Sequence, residues 1–118
     1  MTQTDGRGKN WSYLASNENF GLVRDMFAKN LIVPIVGDFT GPKAVRAVGK
    51  YFRDHGAILN VFYVSNVEDY IQPSWNGYTA NIASLPVDSS SMFIRWTISG
   101  GPPWIAPISD FVRQGNRR

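Results

Sequence analysis

The sequence predicts an α/β fold built on a right-handed βαβ unit, and three observations carry that prediction. Two apolar runs rich in β-branched residues, "LIVPIVG" and "AILNVFYVS", flank "GDFTGPKAVRAVGKYFRDHG", whose apolar residues recur at helical spacing. Strand, helix and strand then follow one another within about forty residues, the span of a parallel pair with a helical crossover. Such crossovers are right-handed in nearly all known cases.

Thr2 to Asn10 are polar and glycine-rich, so residues 1–10 are expected to form a flexible leading segment. Trp11 and Tyr13 are its first anchors. Between residues 16 and 29, Phe20, Val23, Met26 and Phe27 recur every three or four positions, with Ser16 or Asn17 to cap, Glu18 in the first turn and Asn30 as a stop. These features predict a helix over 16–29.

The first strand is expected over 31–37, with Pro34 leaving one side of its ladder short of a donor. The crossover helix is expected over 42–55. Pro42 suits its first position, Val45, Val48 and Phe52 form its apolar stripe, and Gly56 ends it. Gly49, costly by about 1 kcal/mol relative to alanine, is expected where the helix packs closely on the sheet. The second strand is expected over 58–64, followed by a short helix in "NVEDYI". Farther on, "YTANIASLP" suggests a short helix, "SSMFIRWTI" a strand and "SGGPPWIAP" a loop. Residues 11–112 are thus read as one α/β domain and 113–118 as a basic tail.

Composition narrows the function classes. Hydrophobic residues make up 43% of the 118, too many for a disordered chain, and the absence of cysteine excludes disulfides, thiolate metal sites and a cysteine nucleophile. The lone His55 offers no familiar zinc site and is read as a cap in the last helical turn. No segment approaches the ~20 apolar residues of a membrane span, and the chain is read as cytoplasmic. The net charge of +3 owes much to Arg113, Arg117 and Arg118, and the stripe Lys43, Arg46, Lys50 and Arg53 reads as a solvated helix face before it reads as a nucleic-acid surface.

In open parallel sheets, ligands bind beyond the carboxyl ends of the strands, where loops and helix N-termini converge. That rule gathers Asp38, Phe39 and Lys43 after the first strand and Ser65, Asn66 and Glu68 after the second into one candidate crevice for a small polar molecule. Four of them have a plainer alternative: Asp38 closing a turn, and Ser65 or Asn66 capping the next helix with Glu68 in its first turn. "GDFTGPK" lacks phosphate-loop spacing, and no GxGxxG occurs. Trp75, Trp96 and Trp104, expected in loops, either seal the core or meet a partner.

The blocks "SYLASNENFGLVRDM", "NLIVPIVGDFTGPKAVRAVGKYFRDHGA", "FYVSNVEDYI" and "LPVDSSSMFIRW" resemble, in that order, an uncharacterised bacterial methyltransferase-like family. The resemblance implies a partial Rossmann-like three-layer fold of the S-adenosylmethionine-dependent kind, of which this chain is a later portion. Asp38, Phe39, Ser65, Asn66 and Glu68 match its blocks and are carried over as candidate substrate-facing positions. The glycine-rich loop and the ribose-holding acidic residue of such folds map nowhere on this chain. It is therefore expected to bind no cofactor alone, with S-adenosylmethionine belonging to a complete member, and to be inactive until it meets a complementary N-terminal half or a second copy. The alternative is an autonomous module that binds a small ligand or protein in the crevice.

Overall fold

A computed structural model describes residues 6–98 and 103–115. The chain divides into two units, Met1–Ile35 and Val36–Arg118. The fold is mixed α/β, with a small three-stranded sheet in the second unit.

The first unit holds α1, Asn17–Ala28, inside the predicted span. Ser16 caps it, its side chain accepting from the Asn19 amide at 3.1 Å. At the other end Asn30 takes a left-handed φ of 57°. The Leu31 amide then reaches back to the Met26 carbonyl and the Asn30 amide to that of Phe27, closing the helix in a Schellman turn. Phe20, Leu22, Met26 and Phe27 remain exposed.

The strand predicted over 31–37 does not form: these residues join no ladder. Pro34 supplies no N–H, and Leu31, Val33, Ile35 and Val36 stay exposed, so neither backbone pairing nor burial holds the run as a strand. The predicted helix does form, as α2, Ala44–Asp54. It starts two residues after Pro42 and ends in a second Schellman turn, with Gly56 at φ 63° and the Ala57 amide on the Phe52 carbonyl.

β1 is Val61–Tyr63. It leads through α3 (Val67–Tyr70), a 3-10 turn (Gln72–Ser74) and α4 (Trp75–Ala83) to β2, Met92–Arg95, which lies parallel to it. The parallel crossover thus occurs one step later in the chain than predicted, with β1 as its first strand. The "WIAP" of the expected loop is instead β3, Trp104–Pro107, antiparallel to β2. It passes directly into α5, Ile108–Gly115, so Arg113 to Gly115 of the expected tail are helical. The sheet order is β1-β2-β3. No helix among the described residues is long and apolar enough to cross a membrane.

Register explains the core. Phe62 lies beside Phe93 and Phe93 beside Ala106, all on one face because side chains alternate along a strand. Against Phe93 pack Val64, Tyr78 and Ile82, together with Ile108 and Phe111 of α5. The opposite face carries Val61, Tyr63, Ile94 and Ile105. There Val61, Tyr63 and Ile105 are 51%, 64% and 66% exposed. The helices of the second unit therefore cover one face of the sheet, where a three-layer fold would cover both.

The turn after the missing strand is nevertheless fixed. Gly37 and Gly77 both sit where a side chain has no room: a Cβ on Gly37 would collide with the Ala44 Cβ, and one on Gly77 would lie 2.5 Å from the Thr40 carbonyl oxygen. One helical turn beyond Gly77, the buried Asn81 amide donates to the Phe39 and Gly41 carbonyls at 2.9 and 2.7 Å and accepts from Arg46 Nε at 2.9 Å. Gly49 packs on Leu85 and the Ser84 carbonyl, so its close approach is to the chain leaving α4, not to the sheet. Gly77→Ala is expected to lower stability by about 1–3 kcal/mol, the cost of forcing a methyl group into a packed site, despite alanine's better helix propensity. Urea denaturation checks this, and unchanged or raised stability would mean that the turn is free to lift off α4.

Candidate functional site

The six candidate residues divide into two groups. Asp38 closes its own turn, accepting from the amide and hydroxyl of Thr40 at 2.8 and 2.9 Å. Those bonds, with a weaker one from the Gly41 amide, hold its carboxyl below the ordinary 3.8. Phe39 turns its ring edge-on to Phe62, with centroids 6.4 Å apart. Lys43 is exposed at the N-cap position of α2 and makes no side-chain cap bond. Asp38 and Phe39 thus anchor the turn, through Thr40, Phe62 and Asn81, and Lys43 takes no part in it.

Ser65 donates to the Asn66 side chain at 3.3 Å, and Asn66 occupies the N-cap position of α3 without a side-chain cap bond. Glu68 points inward from the first turn of α3 and is 3% exposed. Its carboxylate accepts from Arg95 Nε at 2.9 and 3.2 Å, from Arg95 Nη2 at 2.7 Å and from the Tyr78 hydroxyl at 3.0 Å. The two carboxylates of the expected crevice therefore serve different partners, Asp38 a local turn and Glu68 a buried ion pair.

Arg95 is the residue that sequence reasoning missed. It ends β2, opposite Trp104 of β3, and its side chain is 18% exposed. Its guanidinium carbon lies 4.8, 5.1 and 5.3 Å from the ring centres of Phe111, Trp104 and Phe93, within range of cation–π attraction. Beside it, between α4 and α5, opens a cavity of about 90 Å³ lined by Trp75, Thr79, Arg95, Phe111, Gln114 and Gly115. Parallel β1 and β2 both point their carboxyl ends toward this ion pair. The rule that led to the crevice also leads here, and the signal in the sequence was a lone arginine closing an apolar strand.

The tryptophans are mostly not in loops. Trp75 opens α4 and packs on Tyr78 and Phe111, Trp104 lies on β3, and Trp96 sits half-buried just past β2. His55 caps α2 as expected, its Nδ1–H donating to the Tyr51 carbonyl at 2.8 Å. Three cations of the basic stripe have intramolecular partners: Arg46 on Asn81, Lys50 on Asp54 at 2.5 Å, and Arg53 on the Ser84 carbonyl. Among the described residues, no cluster of histidine and carboxylate side chains is arranged to hold a metal ion. A wider depression of about 460 Å³ at the start of α1 is lined by Tyr13 to Asn17 and Phe20, without a charged side chain.

Fold and site together define a small mixed α/β domain with a buried arginine–carboxylate pair at the carboxyl ends of its parallel strands. The chain belongs to the family described as a domain of unknown function, DUF7790, which it matches over residues 1–113. No curated protein matches the sequence.

Two consequences of the pair can be measured. Glu68→Leu alone or Arg95→Met alone strands a buried charge or its partner and is expected to cost about 3–5 kcal/mol, whereas the double substitution recovers most of that loss. Additive losses in chemical denaturation would show that the pair is not coupled. Tyr78 carries the second consequence: burial, then the charge and hydrogen bond of Glu68, push its phenol above the ordinary 10.0, with Arg95 opposing. The unfolded phenol releases its proton near pH 10 while the folded one keeps it, so its contribution is complete below pH 10 and is lost as pH rises. Tyr78→Phe is expected to flatten the alkaline limb of the stability profile, and an unaltered limb would contradict this origin.

Proposed function

We propose that the chain is the later portion of a methyltransferase-like, Rossmann-like fold and that it performs no methyl transfer alone. The observation that carries this reading is the open apolar face of the sheet. Sheets made wholly of parallel strands occur almost only where both faces are covered; here a parallel pair with one antiparallel strand leaves Val61, Tyr63 and Ile105 facing outward, and among the described residues β1 pairs on one side only. The resemblance blocks and the parallel crossover from β1 to β2 accord with this reading. The glycine-rich strand-loop-helix that holds S-adenosylmethionine in such folds has no counterpart in the sequence.

On this reading the missing layer and the cofactor half come from a complementary polypeptide, and the chain by itself pairs with a second copy. The turn at Asp38 and Phe39 and the stretch from Ser65 to Glu68 then border the place where a small-molecule substrate would lie. Sedimentation velocity of the purified chain is expected to find dimers or larger species, and calorimetry no binding of S-adenosylmethionine. A monodisperse monomer with one cooperative thermal transition would overturn the incomplete-sheet reading. Micromolar binding of S-adenosylmethionine would overturn the claim that the cofactor site is lacking.

A further inference from the structure

We propose that the cavity beside Arg95 is a binding site for the carboxylate of a small organic acid with a flat, apolar body. A guanidinium carries five N–H groups in a fixed fork. Glu68 occupies Nε and one hydrogen of Nη2, approaching the side of the fork. The other Nη2 hydrogen and both on Nη1 have no protein partner among the described residues, and that Nη2 hydrogen with one of the Nη1 pair forms the end-on edge that matches a carboxylate in bidentate fashion. Glu68 fixes that edge: with the carboxylate buried and also bonded to Tyr78, the guanidinium has one orientation.

Charge and walls select the ligand further. Glu68 already cancels the charge of Arg95, so a multiply charged anion such as phosphate meets repulsion from the carboxylate behind the fork, while a single negative charge is tolerated. Trp75 and Phe111 meet edge to face, their ring centres 6.0 Å apart at 67°, and together form one apolar side of the cavity on which a flat body can rest. At the rim, the Thr79 hydroxyl donates to the Asn76 carbonyl and keeps its oxygen as an acceptor, and the Gln114 amide has no partner among the described residues. A cavity of about 90 Å³ holds a carboxylate head and part of a planar body, leaving the remainder in solvent.

The test is an NMR titration of the full chain with benzoate, with benzamide as the uncharged isostere and with inorganic phosphate. Benzoate is expected to shift the Trp75 indole and Gln114 side-chain signals saturably in the millimolar range, with benzamide about tenfold weaker and phosphate weaker still. Thr79→Leu, which fills the cavity while leaving the ion pair intact, is expected to abolish the shifts, and Arg95→Lys to weaken binding about tenfold. If Arg95→Lys fails to fold, Thr79→Leu decides alone. The proposal is overturned if benzoate produces no saturable shift, if benzamide binds as well, if phosphate binds equally, or if Thr79→Leu leaves binding unchanged. Oligomeric state does not enter this result, so it stands or falls separately from the incomplete-sheet reading.

Discussion

A carboxylate placed almost wholly out of water has to be neutralised and hydrogen-bonded, and Glu68 imposes that requirement on its surroundings. It is met by Arg95 from the end of β2 and by Tyr78 from the middle of α4. One side chain in a four-residue helix thus ties together the parallel crossover, the sheet and the longer helix that returns between its strands. Arg95, so held, becomes a platform on which Trp104 and Phe111 pack, and this brings β3 and α5 to the same end of the sheet. The pair contributes little through its own attraction, since two charges must be dehydrated to form it. Its weight lies in orientation: few other arrangements of these segments satisfy both charges.

Local signals in the sequence translated well into helices. Ser16, Asn30 and Gly56 mark ends whose backbone chemistry is decided within a few residues, so α1 and the close of α2 were legible to within a residue or two. The second predicted strand and "SSMFIRWTI" also hold strands, because a short β-branched and aromatic run buried on one side has few alternatives. The run over 31–37 has the same composition and forms no ladder. Composition reports that a segment suits a pleated surface, and a strand also needs a neighbour with free donors and acceptors. "WIAP" misled in the other direction, since the two glycines and two prolines before it in the sequence suggested a loop while its position beside β2 made it an edge strand.

Of the candidate crevice, the strand-end rule selected Glu68, which the structure places beyond β1 in a buried pair with Arg95. It also selected Asp38, whose bonds close within its own turn. Arg95 went unremarked because a cation at the end of a strand ordinarily points to solvent, and nothing nearby in sequence indicates that a carboxylate twenty-seven positions earlier lies beneath it. α4 was underestimated for a related reason. A helix with occupied sides in three directions lacks the two-faced periodicity that sequence reading relies on.

That crowding fixes α4 mechanically. Trp75 and Thr79 look onto the cavity, Tyr78 and Ile82 enter the core, and Gly77 and Asn81 receive the turn around Thr40. Each pair is spaced by four residues and so forms one stripe, and the three stripes point in different directions around the axis. What remains exposed is Asn76, Ala80 and Ala83, a single narrow seam. A rod held by the core along one stripe and by the turn along another cannot roll about its axis without breaking one hold or the other. α4 is in that sense a locating pin that sets the distance between the turn around Thr40 and the core.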